Sequence, residues 1–278
     1  MKIAAFLFFL INSIILIAQD MPADEPTTWA VVVGISDYQD KNIPDLQYTH
    51  KDAELFADYL AADDGGQVPK ENIILLTNGK ASQAQLFLGL DYVFEKSKNG
   101  DEVIIYFAGH GDVERLSKTQ PGYLLCWNAP SRIYMAGGCL SLRDLEDVML
   151  VLSEKNVKVL LIADTSHPGK LSGNSINGTQ LTTARLAMQK ANETKIISCQ
   201  PDEYSIEGEQ WGGGHGVFTY HLVKGLRGKA DMDADKNVSL GEIERYLEDN
   251  LSKEVAPMKQ HPMVIGNKRT ILSCGGEE

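Results

Sequence analysis

Apolar and polar positions follow two rhythms along this chain. Short, nearly unbroken apolar runs recur at Trp29–Ile35, Asn72–Thr77, Glu102–Ala108, Val157–Ala163 and Thr194–Cys199. Runs this short and continuous, closed by Gly, Ser, Asp or Asn, predict strands buried on both faces. Between them lie stretches with apolar residues three and four apart, the spacing of an amphipathic helix. These are Asp45–Ala62, Ser82–Ser97, Ser141–Ser153, Val217–Leu226 and Ile243–Leu251, with a short helix expected at Leu181–Lys190. Thr49 with Asp52, and Ser141 with Asp144, read as helix N-terminal caps. Asp112–Gly138 reads as a loop-rich excursion around a short apolar piece, Tyr123–Trp127, and Ser172–Gly178 as a polar loop. Met263–Cys274 reads as a last strand interrupted at Gly266-Asn267. Strands alternating with helices predict an α/β fold, a mostly parallel sheet with helices on both faces. No period of about 20–50 residues recurs, so 28–274 reads as one domain.

In open parallel sheets ligands bind beyond the carboxyl ends of the strands. His110, between two glycines, ends the third predicted strand, Ser166 follows the fourth, and Asp202 and Glu203 follow the fifth. Neighbouring strands would bring these side chains to one rim. The bland alternative is four polar residues at solvated strand ends. His215, in the cluster Trp211–Gly216, is a candidate for the border of such a site. The other histidines have ordinary structural readings.

Composition narrows the partners. The 278 residues carry a net charge of -12, with 43% hydrophobic and 23% charged residues. That balance argues against nucleic acid or an anionic membrane as partner. Lys2 followed by the apolar run Ile3–Ile17 and then Gln19-Asp20 predicts a signal peptide at 1–18 and a flexible lead-in at 19–27. The run is short of the about 20 residues a membrane span needs. The expectation is an exported protein, secreted or periplasmic, without a stable membrane anchor after cleavage. Export permits disulfides among Cys126, Cys139, Cys199 and Cys274, and buried thiols are the equal alternative. Their spacing matches no zinc motif.

Asp231, Asp233, Asp235, Asn237, Ser239 and Glu242 fall at positions 1, 3, 5, 7, 9 and 12 of an EF-hand ladder. Position 6 holds Lys236 instead of Gly. Calcium is therefore the one cofactor the chain suggests, and nothing else here requires one. The competing reading is a capping box, Ser239 with Glu242, behind a solvated turn.

Two segments carry a family resemblance. Tyr106-Phe107-Ala108-Gly109-His110-Gly111 and Leu161-Ile162-Ala163-Asp164-Thr165-Ser166-His167 resemble the His and Cys motifs of the caspase and metacaspase family. Trp29–Ile35 resembles its first strand, and Gly214–Tyr220 a segment typical of its bacterial members. The resemblance implies a six-stranded sheet in a three-layer sandwich and a cysteine endopeptidase with a Cys–His dyad. His110 then matches the catalytic His. Asp164 and Asp202 match acidic residues that line a pocket for a substrate Lys or Arg in the metacaspase-like branch.

Ser166 departs from the pattern, standing where the nucleophilic Cys belongs. A thiol near pKa 8.5 is partly ionised at neutral pH. A serine hydroxyl needs a base, an orienting third group and an oxyanion hole. Three readings follow: a pseudo-peptidase that keeps the pocket, a slow serine-type hydrolase, or an engineered exchange of an active cysteine. The favoured expectation is a pseudo-peptidase that binds a peptide or protein with a basic residue. The rivals are an endopeptidase cleaving after Lys or Arg with a His110 and Ser166 dyad, and a calcium-stabilised structural module.

Overall fold

The computed structural model describes residues 25–166, 182–184, 186, 193–200 and 203–274. Each apolar run becomes a strand: β1 (Thr28–Gly34), β2 (Ile73–Thr77), β3 (Glu102–Val113), β6 (Lys158–Ser166) and β7 (Glu193–Ile197). Between them come the short β4 (Gly122–Leu125) and β5 (Cys139–Ser141). After them come β8 (Glu207–Gly208), β9 (His215–Gly216), β10 (Asn237–Ser239), β11 (Met263–Ile265) and β12 (Ile271–Cys274). The helices are α1 (Thr49–Ala61), α2 (Gln83–Lys96), α3 (Leu142–Glu154), α4 (Val217–Lys224) and α5 (Leu240–Glu254).

The main path of the sheet runs β11-β7-β6-β3-β1-β2. All neighbours on it are parallel except β11, which is antiparallel to β7. β4 and β5 hang from the far end of β3. The period of two along each strand sorts side chains onto two faces. Val31, Val33, Ile105, Phe107, Leu161 and Ala163 pack with α2 and α3. Ala30, Val32, Ile104, Tyr106, Leu160 and Ile162 pack with α1, α4 and α5. This is the three-layer α/β architecture the alternation predicts. No helix among the described residues is long and apolar enough to cross a membrane.

Several local expectations are corrected. β3 does not stop at Ala108; it carries Gly109, His110 and Gly111 into the ladder, because β6 pairs it up to His110 and β4 takes over from Gly111. Helix α1 begins at Thr49, not Asp45, and neither Thr49 nor Asp52 caps it. Thr49 Oγ1 donates to the Ile35 carbonyl at 2.7 Å, and the Asp52 side chain is buried. The first turn is held instead by Glu207, whose carboxylate accepts from Gln47 N at 2.8 Å and Tyr48 N at 2.9 Å. α1 lies so close on β1 that a Cβ at Gly34 would sit 2.5 Å from Ala53 Cβ. Ser141 does cap α3, accepting from Asp144 N at 3.0 Å.

The last predicted strand is two strands in two sheets. Gly266, at φ 138°, turns the chain between β11 in the main sheet and β12, which pairs with β10. All four cysteines are free thiols, three buried and Cys274 exposed. Of the helix expected at Leu181–Lys190, residues 182–184 and 186 are described and are helical. The predicted signal peptide and the Ser172–Gly178 loop lie outside the described residues.

Candidate active site

β3 and β6 run side by side from Glu102 opposite Lys158 to His110 opposite Ser166. Adjacent strands lie about 5 Å apart, so the ladder alone sets these two backbones next to each other at the carboxyl rim. His110 is fully buried. Its backbone N–H donates to Tyr38 Oη at 2.8 Å, and its ring stacks on Tyr38 with centroids 5.2 Å apart. Its Nε2 lies 2.8 Å from the Pro44 carbonyl oxygen. A carbonyl only accepts, so Nε2 carries the proton and Nδ1 is the basic nitrogen of the neutral ring. Burial keeps the Tyr38 hydroxyl protonated far above its ordinary range.

Ser166 is fixed by its place in the ladder, at the end of β6. His167 and Asp202 lie outside the described residues. Glu203, just past the carboxyl end of β7, is bound to the residue that leads into β11. It accepts from His261 N at 2.5 Å and is also bonded to His261 Nδ1, tying the chain after β7 to the approach to β11.

Asp164, two residues before Ser166, is 2% exposed. It accepts from Ser205 Oγ, and from Thr219 Oγ1 at 2.9 Å. Thr219 in turn is 2.7 Å from the Tyr106 hydroxyl. Burial raises the Asp164 pKa, against the hydroxyl donors that lower it.

A second carboxylate, missed in the sequence, stands beside it. Asp52 of α1 accepts from His215 Nδ1 at 2.9 Å and from Gly216 N at 3.0 and 3.1 Å. Burial pushes its pKa up to about 7; the His215 bond lowers it and the Asp164 charge raises it further. Gly216 separates the two acids: a Cβ there would lie 3.0 Å from Asp52 Oδ2 and 3.2 Å from Asp164 Oδ2. The readable signal was position. Asp52, Phe56 and Tyr59 fall at i, i+4 and i+7, so a charge sits on the buried stripe of α1.

The parallel sheet thus ends a His strand beside a Ser strand, and Asp164 of the same Ser strand is paired across Gly216 with Asp52. A model of the caspase domain matches residues 27–270. The chain belongs to the caspase-domain family. A probable protease from a Desulfuromonadales bacterium is 22% identical over 274 residues, 86% of this chain and 32% of that protein. The caspase domain described here thus spans about a third of the length of that relative. The crystal structure of protein GSU0716 from Geobacter sulfurreducens has a similar fold, with a TM-score of 0.59 and 16% identity. That likeness covers 86% of this chain and 93% of the other.

Away from the strand ends, this caspase domain carries the acidic loop between α4 and α5. Asp231, Asp233 and Asp235 each offer a carboxylate oxygen, all within 4.8 Å of one another. Hard oxygen donors at that spacing suit calcium. Glu242 is engaged elsewhere: it accepts from Ser239 N at 2.9 Å, Ser239 Oγ at 2.7 Å and Met232 N at 3.0 Å. It would have to leave this capping box to act as the twelfth-position ligand. Lys236 adopts φ 67°, the left-handed turn that glycine normally supplies at position 6.

Proposed function

We propose that this caspase domain is a pseudo-peptidase: it recognises a basic segment of a peptide or protein through Asp52 and Asp164, and turns it over poorly or not at all. The observation that carries the reading is the partner of His110. Its Nε2 is held by a backbone carbonyl, where a serine hydrolase places a carboxylate that orients the ring and stabilises the imidazolium. A preformed thiolate tolerates that arrangement; a serine at position 166 has to give up its proton during attack.

The three buried thiols do not offer a replacement for the missing sulfur. Burial pushes Cys126 up to about 12 and raises Cys139 further, and Cys199 is buried near Glu203. The binding half of the proposal rests on two neighbouring carboxylates, Asp52 and Asp164, a pattern that suits an incoming ammonium or guanidinium. Asp202 is a further candidate for the wall of the same pocket. Export through the 1–18 segment and calcium binding at 231–242 belong to the proposal as well, each with its own test.

The rival is an endopeptidase cleaving after Lys or Arg, with Ser166 as nucleophile and His110 as base. Fluorogenic peptides ending in Arg or Lys, assayed on wild type, Ser166→Ala and Ser166→Cys, separate the two. The pseudo-peptidase reading expects no difference between wild type and Ser166→Ala, and new hydrolysis in Ser166→Cys. Wild-type turnover that Ser166→Ala abolishes refutes it.

A further inference from the structure

The acidic pair already has a neighbour able to carry positive charge. His215 is the first residue of β9, and its Nδ1 meets Asp52 Oδ1 at 2.9 Å. Its side chain is 15% exposed, against 1% for Asp52, so of this ion pair the imidazole is the half that meets solvent. The ring is seated by design of the backbone around it. Gly212, at φ 60°, leaves the space its ring needs: a Cβ there would fall 3.0 Å from His215 Cδ2 and 3.2 Å from Tyr220 Cε2. The next residue, Gly216, then directs its N–H to both Asp52 oxygens.

We propose that His215 is a resident counter-cation of the pocket, which an incoming Lys or Arg side chain must displace from Asp52. This rests on the acidic-pocket reading above and adds its regulation. Binding then exchanges one cation for another. The imidazole leaves Asp52, and the substrate ammonium or guanidinium takes its place beside Asp52 and Asp164. A neutral imidazole holds a carboxylate less strongly than a charged one, so recognition should be tighter at higher pH.

The other groups around the ring do not remove the effect. α1 contributes Tyr48, Lys51 and Asp52, the β8 segment Glu207 and Glu209, α4 Tyr220, and β6 Asp164. The Tyr48 hydroxyl is held protonated above its ordinary range, mainly by desolvation. Lys51 is engaged with the Tyr48 ring, 5.2 Å from its centroid. The three glutamate and aspartate neighbours other than Asp52 share its sign, so they strengthen the hold on any cation without distinguishing resident from guest. Asp52 itself releases protons as pH rises, which adds to the trend, and the variants below separate the two contributions.

The test uses the full chain and a fluorescein-labelled tetrapeptide amide ending in Arg, titrated by fluorescence anisotropy at about pH 6 and about pH 8. His215→Gln keeps a donor for Asp52 but carries no charge. It should bind about tenfold more tightly than wild type at the lower pH and equally at the higher one. His215→Lys, a permanent cation, should bind weakly at both. Asp164→Asn should lose binding throughout, and thermal melts confirm that each variant folds. If wild type binds and Asp164→Asn does not, while His215→Gln matches wild type at both pH values, the counter-cation role is overturned and the pocket stands. If wild type binds no Arg peptide at either pH, the pocket reading fails first and the counter-cation role with it.

Discussion

Asp52 of α1 and Asp164 of β6 flank Gly216 so closely that a Cβ there would lie 3.0 Å from one carboxylate and 3.2 Å from the other. An added methyl at Gly216 would press on both carboxylates. Overpacking of this kind costs about 1–3 kcal/mol. Gly216→Ala should therefore lower the melting temperature and weaken Arg-peptide binding together. Unchanged stability in a thermal melt would show that the two acids can move apart freely.

The same pair makes stability depend on pH in a direction opposite to that of ordinary surface carboxylates. Asp52 is pushed up to about 7 and Asp164 is also raised, burial being the main cause for both. Unfolded aspartate titrates near 4. Between these values the folded chain holds protons that the unfolded chain has released, so this contribution is complete below the lower value and is lost as pH rises through the higher. The wild-type melting temperature should fall relative to Asp52→Asn between about pH 4 and about pH 7. Parallel profiles for the two proteins would rule out the raised Asp52 value.

Tyr38 supplies both a flat surface and an acceptor to His110. Tyr38→Phe keeps the stacking and leaves the His110 N–H buried without that acceptor. Such a loss costs about 1–3 kcal/mol, readable in urea unfolding as a lower midpoint at constant slope. A midpoint equal to wild type would mean that another acceptor takes over.

At the acidic loop, Lys236 puts a positive charge and a left-handed non-glycine residue among three converging aspartates. Lys236→Gly removes both. It should bind calcium more tightly than wild type, with a larger rise in melting temperature at millimolar calcium. Asp231→Ala should show neither rise. A calcium titration by calorimetry that is flat for wild type and Lys236→Gly alike would leave the loop as the capping turn of α5.

The strands and helices were legible because each apolar run is short, continuous and bounded by turn residues. What the runs do not encode is pairing. Gly109, His110 and Gly111 look like the end of a strand, since nothing in them is apolar, and only the ladder to Ser166 and to β4 keeps them extended. Met263–Cys274 looks like one interrupted strand for the same reason, although its halves pair with different partners. In the site, Asp164 was visible through its motif. Asp52 was read as a cap because an acid in a first turn is what caps look like, and the groups that draw it inward lie 163 and 164 residues further on. Glu203 was read as part of the rim, and its partner His261 is 58 residues away.

The partners of the two buried acids come from one late stretch. Ser205, His215, Gly216 and Thr219 serve Asp52 and Asp164, and Glu207 fastens the start of α1. A ribosome that has made everything through β7 has already produced His110, Ser166 and both aspartates, yet none of the groups that make burial of those aspartates tolerable. Burial of the two acids therefore waits on residues made after β7, so this end of the sheet cannot close until the chain has passed Thr219.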